Sequence, residues 1–259
     1  MKNFCVNPFF AKASYTHHNY DLPCCLVTGD KNYSREKLKQ DFLNNKKSSY
    51  CNICWRDEAN GHLSRRQIDN RWLSFHSGID LETLYETKDK SKLLSLQYKT
   101  SNLCNLACKT CFSVDSTRWY AEDRHYGRYN MREVDVNNPK RITDDQLKTL
   151  VKLDLLGGEP FLDRTHIEML KRLIDFKKTD IYLNYTTNGQ QMPNKELHDV
   201  LKKFSNIQVN LSIDAQGPMF EYVRYPGSWE KLLTILDKLK STDWHITSYT
   251  TLSNINVYY

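Results

Sequence analysis

In the second half of the chain, apolar residues recur at helical spacing between short strand-like runs. Ile167, Leu170, Leu173 and Ile174 mark one helix face over about 165–176. Leu197, Val200, Leu201 and Phe204 mark another behind Asn194, and Leu232, Leu233, Leu236 and Leu239 a third behind Ser228. Asn and Ser are good N-caps, so both starts are locally encoded. Thr143, with Gln146 three residues on, predicts a capping box and a helix through about Lys152. Between and around these lie LLSLQYK at 93–99, a short run at 153–156, DIYLNYTT at 180–187, IQVNLSI at 207–213 and HITSYTT at 245–251. Their alternation and β-branched or aromatic content predict strands. Strand–helix alternation predicts an α/β fold with a parallel sheet and helices outside. Right-handed crossovers would curl it into a partial (β/α) TIM-like barrel of about five strands, with functional residues at the C-terminal strand ends.

The first 87 residues lack this rhythm. Turn-rich stretches (TGDKNYS, SSYCN), a helical piece at 34–43 and five cysteines predict a small cysteine-rich domain over 1–87, with the α/β part at 88–259. A length of 259 residues suffices for one large and one small domain. With 39% hydrophobic and 12% aromatic residues, a soluble protein with a loop-rich, Tyr-rich surface is expected. No run of about 18 apolar residues occurs, which excludes a membrane-spanning helix. The opening MKNFCVNPFF has no apolar core or cleavage site of a secretory signal, so the cytoplasm is the expected location. The net charge of +6 is spread along the chain apart from pairs such as Lys46 and Lys47 or Arg65 and Arg66, and reads as solvated surface.

The eight cysteines change the picture more than the charge does. Cytosolic thiols stay reduced, so a disulfide framework is not expected. Cys104, Cys108 and Cys111 fall within eight residues, and Cys5, Cys24, Cys25, Cys51 and Cys54 lie in the first fifth of the chain. Two metal sites explain this distribution better than scattered core thiols. The loop SNLCNLACKTC at 101–111 follows directly on a predicted strand. Its CxxxCxxC spacing lets three thiolates converge on three irons of a cubane, leaving the fourth iron open, unlike four-cysteine ferredoxin sites. Zinc is the alternative, but three cysteines fall short of its usual four ligands.

Together with GGEP at 157–160, TTNG at 186–189 and SIDA at 212–215, this loop resembles the radical S-adenosylmethionine (SAM) superfamily, in particular members with a SPASM or twitch auxiliary-cluster domain. The resemblance implies a [4Fe–4S] cluster on Cys104, Cys108 and Cys111 that cleaves SAM reductively to a 5′-deoxyadenosyl radical, which abstracts hydrogen from a substrate. It implies that Gly157 and Gly158 let backbone approach SAM and that Glu159 accepts the SAM ammonium. Thr187 and Asn188 would make polar contacts to SAM, Ser212 and Asp214 would bind its ribose or amino acid moiety, and Arg224 its carboxylate. Two departures stand out: Thr110 replaces a frequent aromatic residue before the third cysteine, and five predicted strands replace the family's six. A naturally short barrel or a fragment follows, and a fragment is expected because an exposed parallel edge strand is a liability.

FCVNPFF, PCC at 23–25 and CNICW at 51–55 resemble the cysteine pattern of a SPASM/twitch module placed before the barrel. Four of Cys5, Cys24, Cys25, Cys51 and Cys54 would hold an auxiliary [4Fe–4S] cluster, with zinc as the alternative. This resemblance favours a peptide or protein side chain as substrate and implies a reductant such as flavodoxin or ferredoxin. RNA, a nucleotide or a sugar is the rival substrate, supported by the positive charge and by Arg118, Trp119, Tyr120, Tyr126, Arg128 and Tyr129, although that stretch reads first as a lid or packing surface. A non-catalytic metal-binding interaction module is the remaining alternative. His17 and His18 read as solvent-facing loop histidines.

Overall fold

The computed structural model describes residues 2–14, 22–27, 33–87, 92–128 and 142–258. His17, His18 and Tyr129 lie outside them. The chain divides into two compact units, one of Met1–Ser14, His18–Gln97 and Ile142–Leu153, the other of Tyr15–His17, Tyr98–Arg141 and Asp154–Tyr259. One sheet runs in chain order through β1 (Ala11–Ser14), β2 (Ser95–Lys99), β3 (Lys152–Leu156), β4 (Tyr182–Thr187), β5 (Asn206–Ser212) and β6 (His245–Tyr249). The α/β class and the five predicted strands are present. The sixth, β1, comes from the segment in which no strand was expected.

In the second unit, β4 pairs with β5 and β5 with β6, both in parallel. Thr187 stands opposite Leu211 and Ser212 opposite Tyr249, so the turns after these strands open along one edge of the sheet. Alternation sets the faces: Leu183, Tyr185 and Thr187 of β4 are buried while Tyr182, Asn184 and Thr186 are half-buried. The strands pack on α8 (Ile167–Asp175), α9 (Lys195–Leu201) and α11 (Trp229–Lys240), whose stripes of Leu170 and Leu173, Leu197 and Leu201, and Leu232 and Leu239 are essentially inaccessible. Burying each such leucine contributes about 2 kcal/mol. On α11 the stripe is Leu232, Ile235 and Leu239, with Leu233 exposed, because 3.6-residue periodicity carries position 235 and not 233 to the core side. The expected caps are present: Asn194 accepts from Leu197 N–H and Ser228 from Lys231 N–H.

The first unit is mainly helical: α1 (Asn7–Phe10), α2 (Arg35–Leu43), α3 (Asn52–Ala59), α4 (Arg65–Ser77), α5 (Leu81–Thr87) and α7 (Asp144–Thr149). The capping box on Thr143 and Gln146 forms, but α7 stops at Thr149, because Leu150 is extended and β3 begins two residues later. The amino-terminal segment is fixed to α4 by side chains. Arg66 Nη1 and Asn70 Nδ2 both donate to the Phe4 carbonyl, at 2.7 and 2.9 Å, and Val6 N–H donates to Asn70 Oδ1 at 2.9 Å. Arg66 also makes a two-pronged pair with Glu58 at 2.9 and 2.7 Å and lies 5.0 Å over the Trp55 ring.

Candidate functional site

The three-cysteine loop leaves β2 and is held by backbone on two sides. On one side, Gly158 N–H donates to the Ser101 carbonyl at 2.7 Å and Glu159 N–H to the Leu103 carbonyl at 2.8 Å. A Cβ on Gly158 would lie 2.3 Å from the Leu103 oxygen, and one on Gly157 2.5 Å from the Ser101 oxygen. Gly157 also has φ +145°, which disfavours any side chain. The paired glycines are thus demanded by the close approach of the loop itself. On the other side, Ala107 N–H donates to the Tyr225 carbonyl and Lys109 N–H to the Val223 carbonyl, at 2.6 and 2.8 Å.

Cys104, Cys108 and Cys111 line one cavity of about 340 Å³. Its other walls include Gly157 and Gly158 after β3, Thr186, Thr187 and Asn188 at the end of β4, Ser212 of β5, and Arg224 after α10 (Gly217–Val223). Thr110, Asp115 and Thr251 complete much of the rim. Cys108 and Cys111 share a hydrogen bond, which pushes the Cys108 thiol up and holds Cys111 below the ordinary thiol value. Burial pushes the Cys104 thiol up, and the Glu159 charge adds to this. Three sulfur donors side by side suit an iron–sulfur cluster. The Nε of Arg224 is buried without a hydrogen-bond partner, which suits an anionic group. Among the described residues no three His, Cys, Asp or Glu side chains converge on the volume of one metal ion. A cubane takes one thiolate on each of three irons and accepts a wider spread.

The two acidic residues expected to face SAM do not line this cavity. Glu159 is fully buried, and its carboxylate accepts from Phe161 N–H at 3.0 Å, Thr187 Oγ1 at 2.7 Å and Asn188 N–H at 2.8 Å. A carboxylate removed from water must be hydrogen-bonded, and these donors turn it into the protein. Burial still holds its pKa above the ordinary carboxylate value. Asp214 is also buried; its Oδ1 accepts from Thr251 N–H at 2.9 Å, and Arg224 Nη2 lies 2.8 Å from its Oδ2. Asn105, which sequence reading passed over, accepts from Asn188 Nδ2 at 2.8 Å; the same amide lies 3.8 Å from Cys104 Sγ. Its position inside the cysteine loop was the available signal. Thr251 had only its place at a strand end.

In the aromatic stretch after the loop, which runs through α6 (Tyr120–His125), Trp119 and Tyr120 are half-buried while Arg118, Tyr126 and Arg128 are exposed. Trp119 Nε1 donates to the Cys108 carbonyl at 3.2 Å, and Asn102 Nδ2 donates to the Tyr120 hydroxyl. Arg128 stacks on Tyr126 at 4.6 Å.

The five amino-terminal cysteines belong to the first unit. Cys5 and Cys54 are buried, Cys24 and Cys51 half-buried, and Cys25 exposed. Burial raises the Cys5 thiol well above its ordinary value, and the proximity of Cys24 and Cys51 raises it further. Cys24 is pushed up to about 11, chiefly by burial. Cys51 is pushed up to about 12 by burial, then by Cys24 and Cys54. Charge repulsion thus links all five thiols, Cys5 with Cys24 and Cys51, Cys24 with Cys25 and Cys51, and Cys51 with Cys54.

Residues 98–257 match the Radical SAM superfamily. Among solved structures the chain is similar to SuiB of Streptococcus suis bound to S-adenosylmethionine, at 17% identity and TM-score 0.44, over 86% of this chain and 46% of that one. It is also similar to anSMEcpe with bound AdoMet, at 20% identity and TM-score 0.44, over 61% of this chain and 44% of that one. A third likeness is to TYW1 with a lysine-pyruvate adduct bound, at 17% identity and TM-score 0.36, over 82% and 62%. The chain thus spans less than half the length of the SuiB and anSMEcpe structures. No curated protein matches it.

Proposed function

We propose, because the chain belongs to the Radical SAM superfamily, that it is a radical SAM enzyme acting on a peptide or protein side chain. The observation that carries this reading is the single cavity shared by Cys104, Cys108, Cys111 and four strand-end elements. When bound, a [4Fe–4S] cluster and SAM supply a 5′-deoxyadenosyl radical for hydrogen abstraction. The chain's own part is to hold and shield. Cys104, Cys108 and Cys111 would ligate the cluster, and Gly157, Gly158, Thr187, Asn188 and Ser212 would present backbone and small polar groups to SAM. Glu159 and Asp214 would act from behind this wall, Glu159 by fixing the Thr187–Asn188 turn and Asp214 by orienting Arg224. The peptide substrate is supported by the SPASM/twitch-like cysteine pattern alone. A flavodoxin or ferredoxin would deliver the electron. Among the described residues no helix is long and apolar enough to cross a membrane.

The decisive assay is 5′-deoxyadenosine formation after anaerobic reconstitution with iron and sulfide, with SAM and dithionite added. The parent should form it and the variant with Cys104, Cys108 and Cys111 all changed to Ala should not. Zinc alone in the parent, or equal turnover in both, would sink the reading. For the amino-terminal unit the same logic favours an auxiliary [4Fe–4S] cluster on Cys5, Cys24, Cys51 and Cys54, with exposed Cys25 as the spare thiol. Cys51→Ser should then lower iron by about half, one cubane of two, while Cys25→Ser leaves it unchanged.

A further inference from the structure

We propose that Arg224 tunes the reduction potential of the cluster through Cys108, with Asp214 setting the strength of that effect. The inference rests on the reading that Cys104, Cys108 and Cys111 hold a [4Fe–4S] cluster. It differs from the role implied by sequence resemblance, an anchor for the SAM carboxylate.

The geometry is built into the backbone. The hydrogen bonds from Ala107 N–H to Tyr225 and from Lys109 N–H to Val223 flank Cys108 on one strand of chain and Arg224 on the other. Two such bonds in the antiparallel sense lock residue 108 opposite residue 224. Arg224 Nη1 accordingly lies 3.9 Å from Cys108 Sγ, within reach of an N–H···S contact. Gly227 N–H closes the turn behind it by donating to the Arg224 carbonyl at 2.7 Å, and a Cβ on Gly227 would sit 2.7 Å from that same oxygen. The guanidinium side chain is 11% exposed and the Asp214 side chain 0%, so neither charge is screened by bulk water. Asp214 is in turn fixed from both ends, its Oδ1 by Thr251 N–H and its carbonyl by Asn256 Nδ2 at 2.7 Å.

The electrostatic consequence has a definite sign. One-electron reduction adds a negative charge to the cluster, and a fixed cation against one ligating sulfur favours the reduced state. Hydrogen bonds to cluster sulfurs and local net charge are the protein's levers on potential. Asp214 partly cancels the cation. Removing Arg224 should therefore lower the midpoint potential, and neutralising Asp214 should raise it. A residue that merely supported the fold would not move the potential in opposite directions from the two members of one pair.

The test is a redox titration followed by electron paramagnetic resonance on the full chain without SAM, comparing the parent, R224Q, R224K and D214N. To keep one signal, all four carry Cys51→Ser. R224Q should shift the one-electron equilibrium at least tenfold toward the oxidised cluster, about 59 mV. D214N should shift it the other way, and R224K should fall between R224Q and the parent because it keeps the charge but loses the fork. Should R224Q fail to fold, the opposed order of D214N and R224K about the parent still decides. Equal midpoints overturn the proposal; if SAM then binds at least tenfold more weakly to R224K than to the parent, Arg224 is a carboxylate anchor instead. A parent lacking iron and sulfide at the Cys104, Cys108 and Cys111 site overturns the underlying reading, and this is seen before any potential is measured.

Discussion

The loop around Cys104, Cys108 and Cys111 and the segment around Cys5 hold their thiols by different means. Around the loop four ties are backbone to backbone, Gly158 to Ser101, Glu159 to Leu103, Ala107 to Tyr225 and Lys109 to Val223, and side chains such as Trp119 add to them. Around Cys5 they are side chain to backbone: Arg66 and Asn70 to Phe4, and Asn70 again to Val6. The ties to Gly158 and Glu159 arise once parallel strands bring their ends to one edge, and those to Val223 and Tyr225 come from the end of α10. All ask the sequence only for glycine where two chains meet closely. Side-chain ties ask for particular polar residues some sixty positions away, with a charge pair at their centre. The first arrangement should fail through steric intrusion, and the second through loss of a charge.

Gly158→Ala breaks the first arrangement most directly. Its Cβ would meet the Leu103 oxygen at 2.3 Å and the Asn102 carbonyl carbon at 2.6 Å, both of them backbone atoms that cannot rotate away. We expect a loss of about 3 kcal/mol and no iron at the loop, measured by urea unfolding and metal analysis. Gly61→Ala is the control, since nothing lies within 4 Å of its added carbon; its φ of +77° costs only about 1 kcal/mol. Equal losses for the two would mean the loop is not clamped.

Arg66→Ala tests the second arrangement. It strips the Glu58 carboxylate and the Phe4 carbonyl of a donor and uncovers Trp55. Breaking a largely buried pair from one side costs about 3 kcal/mol, here confined to the first unit. Iron bound through Cys51 should fall while deoxyadenosine formation by the loop cluster persists. Simultaneous loss of both would show that the two regions do not fail independently.

The contrast also explains what the sequence made legible. The strands before the loop, GGEP, TTNG and SIDA were readable because each has local alternation and ends in a turn motif. Once the strands are parallel, those motifs must share an edge. β1 was not readable, because AKAS, although it alternates, is only four residues long and rests on alanines of low β-propensity, so it takes strand form only in the sheet. The helix α10 was missed although Pro218 near its start is a usable signal. Within the site, the glycines, Thr187, Asn188, Ser212 and Arg224 reached the cavity wall. Glu159 and Asp214 did not, because which way a carboxylate turns depends on donors 28 and 37 residues away that no local pattern encodes.

Glu159→Gln is a gentler probe of the loop region than either change above. It keeps the shape but sets an amide N–H₂ against the Thr187 hydroxyl or the Asn188 N–H, and should cost about 1–2 kcal/mol while slowing deoxyadenosine formation. The smallest effect is the most diagnostic, because the two regions should respond to acid with opposite signs. Burial raises the pKa of Glu58, but the Arg66 and Ser64 hydrogen bonds outweigh it, and the net value lies below the ordinary 4.5. Its stabilisation is complete above that ordinary value and is lost as pH falls through the lowered one. Glu159 lies above 4.5, chiefly through burial. Its contribution is complete below the ordinary value and is lost as pH rises through the raised one. Urea unfolding across this range should show Glu58→Gln flattening the loss on acidification and Glu159→Gln removing the opposing gain. If the two variants bend the profile the same way, the charge pair is not what distinguishes the amino-terminal region from the loop.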